Sequence, residues 1–135
     1  MVTIVTRSVK GAPLTNQEVD DNFTNLNNGK LELTVTGVAS ASTITPPSNN
    51  LQYNVTALAE TAAVAAPSGT PMESARLMLR IKDNGSPRIL SWNAIYRAVN
   101  VTLPLLTTAG KTLYVGMIYN DTDDKWDVIA VTVEV

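Results

Sequence analysis

Asp121, Asp123, Asp124 and Asp127 stand together in "DTDDKWD". Oxygen ligands spaced this closely in a loop suit calcium. An EF-hand loop needs a glycine at its sixth position and a glutamate at its twelfth. Counted from Asp121, those places hold Trp126 and Thr132. The run therefore reads as a solvated turn, where Asp and Asn side chains bond to nearby backbone, and no metal is expected. Nucleophilic chemistry has little to work with. Ser68, Ser91 and a possible Ser86–Lys82 pair supply hydroxyls, but the chain has no histidine and no G-x-S-x-G turn. Lys82 and Ser86 fall where a hairpin tip is expected, with nothing to activate either group. "PSGTP" lacks the second glycine and the lysine of a phosphate-binding loop. The twelve acidic residues sit mostly in one helix and one turn, a poor arrangement for paired-carboxylate catalysis. No catalytic residue and no cofactor are expected, so the chain is read as a non-enzyme. Trp92 and Trp126 each lie near a turn, at the core edge or, in a second reading, stacked on a sugar.

Composition narrows the classes further. Net charge is −2 and the basic residues are scattered, which argues against nucleic acid or an anionic membrane as partner. Charged residues make up only 16%, against about 25% in ordinary soluble domains. Such a surface suits a chain that is partly covered by a partner, or one with a large core. Without cysteine, disulfides are excluded. No segment reaches the roughly 18 apolar residues of a membrane span, and "MVTIVTRSVKG" lacks the layout of a secretion signal. Four N-x-T sequons, beginning at Asn22, Asn54, Asn100 and Asn120, fit chance in an Asn- and Thr-rich chain.

The elements follow from periodicity. Residues 1–13 read as an extended arm. "LTNQEVDDNFTNLNNGK" then carries a helix signature. Thr15 and Glu18 form a capping box, and Leu14 can staple onto Val19. Val19, Phe23 and Leu26 recur at i, i+4 and i+7 as one apolar stripe. Gly29 is placed for a left-handed C-cap. A helix of about three turns is marginal alone, so its stripe must dock on something. From residue 31 the period becomes two. Leu31, Leu33 and Val35 are expected inward, Gly37 marks a bend, and Leu51, Tyr53 and Val55 line a second strand. "ALAETAAVAAPSGTP" reads as an extended segment running into a loop. "ARLMLRIKDNGSPRILSW" reads as a hairpin about Asp83-Asn84-Gly85, with Leu77, Leu79 and Ile81 inward. A second hairpin runs from Leu113 through a turn at Asn120–Lys125 to Val135, its first strand central and Ile129, Val131, Val133 and Val135 alternating inward. The sum predicts an all-β fold. It would be an antiparallel β-sandwich or jelly-roll-like domain (residues 36–135) behind an N-terminal extended arm and one short α-helix (residues 1–35).

Residues 54–131 resemble a β-rich domain recurring in virion proteins of tailed bacteriophages. The segments "AAPSGTP", "RIKDNGSPRILSWNAIYRA" and "KTLYVGMIYNDTDDKWDV" carry the likeness. "KGAPLTNQEVDDNFTNLNNGKLE" resembles an N-terminal element of phage tail-fibre and head-surface proteins. The resemblance implies a structural virion component, often trimeric, without catalytic activity, and it transfers no site residues. Long tail fibres of this type continue into a repetitive shaft, which does not follow Val135 here. The expectation is therefore a capsid decoration (cement) protein, a homotrimer bound to the phage major capsid protein on the virion surface. The alternatives are a tail-fibre base, adaptor or short tail protein bound to tail or neck proteins, and a carbohydrate-binding module using Trp92, Trp126 and the Asp121–Asp127 turn. Val2, Ile4, Leu14, Val19, Phe23 and Leu26 are the expected association residues.

Overall fold

The computed structural model describes residues 3–29, 34–49 and 51–135. The chain divides into two compact units, Met1–Glu32 and Leu33–Val135. The first holds two helices, α1 (Arg7–Lys10) and α2 (Asn16–Gly29). Among its described residues the second holds nine strands: β1 (Val35–Val38), β2 (Thr43–Ile44), β3 (Gln52–Leu58), β4 (Ala62–Val64), β5 (Arg76–Asp83), β6 (Leu90–Trp92), β7 (Tyr96–Ala98), β8 (Thr112–Asn120) and β9 (Lys125–Val133).

The expected antiparallel sandwich or jelly roll is not what forms. From β1 to β7 the chain alternates between two sheets. Odd strands enter a six-stranded sheet of order β1-β3-β5-β8-β9-β7, and even strands enter a three-stranded sheet of order β2-β4-β6. Each return to a sheet is parallel to the previous visit, so β1, β3 and β5 run the same way, as do β2, β4 and β6. Among the named strands the pairs β5–β8 and β8–β9 are antiparallel, and β7 joins β9 in parallel. The large sheet is therefore mixed, the small one parallel, and the opening of the molecule helical twice. Half-buried strands alternate with period two whichever direction their neighbour runs, so the pattern carried no directional information.

Proline sets the coil. "ITPPS" at 44–48 and "VAAPS" at 64–68 are equivalent segments. Ile44 pairs with Val64, and Pro47 bridges Ser68. The Ser48 amide donates to Ser68 O at 2.8 Å, and the Ser68 amide donates to Pro46 O at 2.9 Å. Proline cannot donate to a ladder, so β2 and β4 both end just before these segments, and the two bends stack; β6 ends at Trp92 without a proline. Gly37, expected at a bend, lies inside β1 instead. A Cβ there would stand 2.0 Å from Asn54 O, so only glycine lets β1 approach β3 this closely.

The expected hairpin about Asp83-Asn84-Gly85 does not form. A strand has two edges, and those of β5 are taken by β3 and by β8, the latter through seven residue pairs from Arg76↔Ile118 to Lys82↔Thr112. Among the turn residues only Gly85 has positive φ, at 112°, whereas a type I′ turn needs two such residues. Asp83 accepts from the Gly85 amide at 2.7 Å, and the chain crosses to the other sheet, where β6 pairs with β4. The inward set of β5 is as expected, with Leu77, Leu79 and Ile81 buried. Each such side chain contributes about 1.5–3 kcal/mol.

The second hairpin is present, with Asn120 opposite Lys125 and β8 central between β5 and β9. Its return strand carries a bulge: Met117 faces Val128, but Gly116 faces Ala130. The extra residue turns Ile129 outward to 49% exposure, while Val131 is half-buried and Val133 and Val135 are exposed. Tyr53 and Val55 are buried as expected; Leu51 and Val35 are exposed. Leu31 and Leu33 lie outside the described residues. One core joins both sheets, with Trp126, Ile44, Leu58, Leu79 and Leu90 among its fully enclosed side chains.

Candidate functional site

The N-terminal unit is built from caps and amides rather than from a core. Residues 7–10, expected to be extended, form α1. The Thr6 hydroxyl accepts from the Val9 amide at 3.3 Å, and Gly11, at φ 70°, donates to Arg7 O. A single turn of helix is too short to leave a periodic signal. On α2 the capping box is closed: the Thr15 amide donates to Glu18 at 2.7 Å, and the Glu18 amide donates to the Thr15 hydroxyl at 3.2 Å. Lys10 pairs with the same Glu18 carboxylate. The Lys10 and Thr15 hydrogen bonds hold the Glu18 carboxyl below its ordinary range. Gly29, expected as a left-handed C-cap, is itself helical. Replacing Thr15 by alanine is expected to cost about 1 kcal/mol of helix stability, measurable as faster amide hydrogen exchange along α2 in the full chain.

The arm packs on one polar stripe of α2. Asn22 accepts from the Val5 amide at 2.8 Å and donates to Val5 O at 2.7 Å. Asn25 donates to Thr3 O at 2.8 Å. Glu18, Asn22 and Asn25 thus stand at i, i+4 and i+7. The apolar stripe of Val19, Phe23 and Leu26 is the next row round the helix, one residue on. Of the expected association residues, Val2 lies outside the described residues. Leu14 and Val19 are half-buried, Ile4 is 38% exposed, Phe23 68% and Leu26 56%. No described side chain of this unit is fully buried.

The acidic turn is closed on itself. Arg97 donates to Asp127 at 2.6 and 3.0 Å and to Asp123 at 2.7 Å. Tyr119 donates to Asp124 at 2.8 Å, which raises the phenol to about 12. The Arg97 hydrogen bonds hold Asp127 below the usual carboxylate range. Asp124 itself takes φ 50°, the left-handed conformation that closes the turn. These carboxylates are engaged by an arginine and a phenol. Among the described residues no three His, Cys, Asp or Glu side chains group as a metal site.

Trp126 is fully buried and packs on Tyr119, with ring centroids 5.4 Å apart. Trp92 is half-buried, donates to Pro104 O at 2.7 Å and meets Tyr96 edge-on. Both tryptophans thus stand in the core or at its edge, the first of the two readings, and with Trp126 enclosed the alternative sugar platform of Trp92, Trp126 and the Asp121–Asp127 turn is not formed. Among the described residues no helix is long and apolar enough to cross a membrane.

A groove on the outer face of the six-stranded sheet was not foreseen. It measures about 400 Å³ and is lined by Asn54, Val55, Thr56, Arg80, Lys82, Thr112, Tyr114 and Glu134. The outward positions of β5, Arg80 and Lys82, were legible as a polar face. Their neighbours were not, because the hairpin reading gave β5 the wrong partner. Comparison with protein-family models, curated proteins and solved structures gave no match in any of the three.

Proposed function

We propose that this chain is a non-enzymatic structural protein of a tailed-bacteriophage virion: a decoration protein on the capsid surface, homotrimeric and bound to the major capsid protein. The observation that supports this most is the N-terminal unit. It presents Phe23 and Leu26 largely exposed and has no fully buried described residue of its own. A helix of 14 residues without a core is marginal in water, and an exposed apolar stripe of this kind marks an association surface. The β unit, with one continuous core, is the body that such an anchor would carry. In this reading Val19, Phe23 and Leu26 meet across a three-fold axis or enter a junction between capsid subunits. Binding the assembled shell and not its separated subunits stabilises the shell by mass action.

The experiment is fractionation of phage particles into heads and tails after addition of labelled protein. Sedimentation with heads supports the decoration reading. Sedimentation with tails transfers the same anchor to the tail-base or adaptor role. Sedimentation with neither ends both.

A further inference from the structure

The outer groove sits on three paired strands and a following residue. In one row across the sheet Asn54 stands opposite Arg80, and Arg80 opposite Tyr114. In the next row Lys82 stands opposite Thr112. Glu134, just past β9, closes the end: it accepts from Lys82 Nζ at 3.0 Å, from the Thr112 amide at 3.0 Å and from the Thr112 hydroxyl at 2.9 Å. Lys82 and then Thr112 lower the Glu134 carboxyl to about 2, so it remains charged and keeps Lys82 matched. Arg80 is in a different position. Its guanidinium lies 5.7 Å from the centre of the Tyr114 ring. Among the described residues it makes no hydrogen bond or ion pair. The groove thus holds two cations and one anion, a surplus of positive charge on a chain of net charge −2.

We propose that this groove binds a carboxylated sugar, such as a uronic acid unit of an acidic polysaccharide. The carboxylate pairs with Arg80, and the ring hydroxyls are taken by Asn54, Thr56, Lys82 and Tyr114. One unmatched cation calls for one negative charge, and a planar guanidinium fork matches a planar carboxylate. The Tyr114 ring beneath Arg80 fixes the fork without using its N–H groups. Asn54 has its carbonyl oxygen occupied by Gln52 at 2.7 Å, which leaves its amide N–H groups as donors. The lining side chains carry hydroxyl, amide and charged groups while the surface they present is more apolar than polar, a mixture that suits a sugar ring with its C–H faces and hydroxyl rim. The volume lies at the small end of ligand sites and accommodates a monosaccharide or disaccharide. An extended acidic peptide fits less well. It would need a free strand edge for its backbone, and the groove lies over β5 and β8, whose edges are both paired.

This site is independent of the attachment reading and is tested on the isolated full chain. The probe is digalacturonate, titrated against isotope-labelled protein and followed by amide chemical shifts. A neutral galactose disaccharide and a capped Asp-Glu peptide serve as comparison ligands. The expected result is saturable shifts at Asn54, Thr56, Arg80, Lys82 and Tyr114 with digalacturonate, weakened by added salt, and none with the neutral sugar. Arg80→Gln is expected to weaken binding at least about tenfold, since it removes a charge-assisted bond, and Arg80→Lys to fall between. Both variants report their own folding through the same spectra. The proposal is overturned by an absence of saturable shifts up to the solubility limit of the probe, by equal binding of the neutral sugar, by tighter binding of the peptide, or by undiminished binding to Arg80→Gln.

Discussion

Trp126→Ala is expected to unfold the β unit at physiological temperature or bring it close to unfolding. Trp126 has no exposed surface, packs on Tyr119, and lies on β9 opposite Tyr119 and beside Tyr96 of β7. It therefore joins the hairpin to the last edge strand. Removing a fully enclosed indole forfeits its transfer free energy and leaves a cavity that β9, held on both edges, cannot collapse. Such substitutions cost about 3–5 kcal/mol, a large share of the roughly 5–15 kcal/mol that holds a domain together. Urea denaturation followed by far-ultraviolet ellipticity measures it. A loss well under 1 kcal/mol would mean that Trp126 is not enclosed as described.

Asp83→Ala should cost nearly as much by a different route. Asp83 is 2% exposed. Its carboxylate accepts from the Thr107 hydroxyl at 2.6 Å, the Gly85 amide at 2.7 Å and the Gly110 amide at 3.0 Å. It ties together the end of β5, the crossing to β6 and the loop before β8. Alanine would leave buried donors unpaired, at about 1–3 kcal/mol each, offset in part by water. Desolvation pushes the Asp83 carboxyl up, but the Thr107, Gly110 and Gly85 hydrogen bonds and the nearby Arg88 charge outweigh it, and the group titrates below its ordinary value. A carboxyl depressed in the folded state adds stability above its unfolded value, near pH 4, and loses it as pH falls through the folded value. Glu134, lowered to about 2, acts in the same direction. Melting temperature should therefore hold from neutral pH to about 5 and decline between about 4 and 2. Asp83→Asn should flatten that decline while lowering the plateau. An unchanged acid limb in Asp83→Asn would show that the network does not carry the pH dependence.

Local features were legible in the sequence where neighbouring residues decide them. The Thr15–Glu18 capping box, the inward set Leu77, Leu79 and Ile81, and the hairpin closed at Asn120–Lys125 all depend on contacts a few residues apart. What was missed depends on partners far along the chain. Val35 pairs with Gln52, and Gln52 with Met78, and nothing in a period of two names those partners or their direction. The equivalence of "ITPPS" and "VAAPS" was the available sign of a coil, but a repeat of two imperfect copies is faint. The bulge that turns Ile129 outward leaves no mark in an apolar run. In the candidate attachment surface the stripe Val19, Phe23 and Leu26 followed from helical spacing. The docking of the arm did not, because it is held by Asn22 and Asn25, which read only as polar surface.

The most direct measurement is cosedimentation of the purified chain with phage heads stripped of it, for the natural sequence and for Phe23→Asp/Leu26→Asp. The natural chain should pellet with the heads and raise the temperature at which they release their genome. The double variant should bind about 100-fold more weakly or worse, since it loses the burial of two large apolar side chains, while its β unit melts at the unchanged temperature. Natural protein left in the supernatant as a monomer, or a double variant that binds as tightly, would contradict the account.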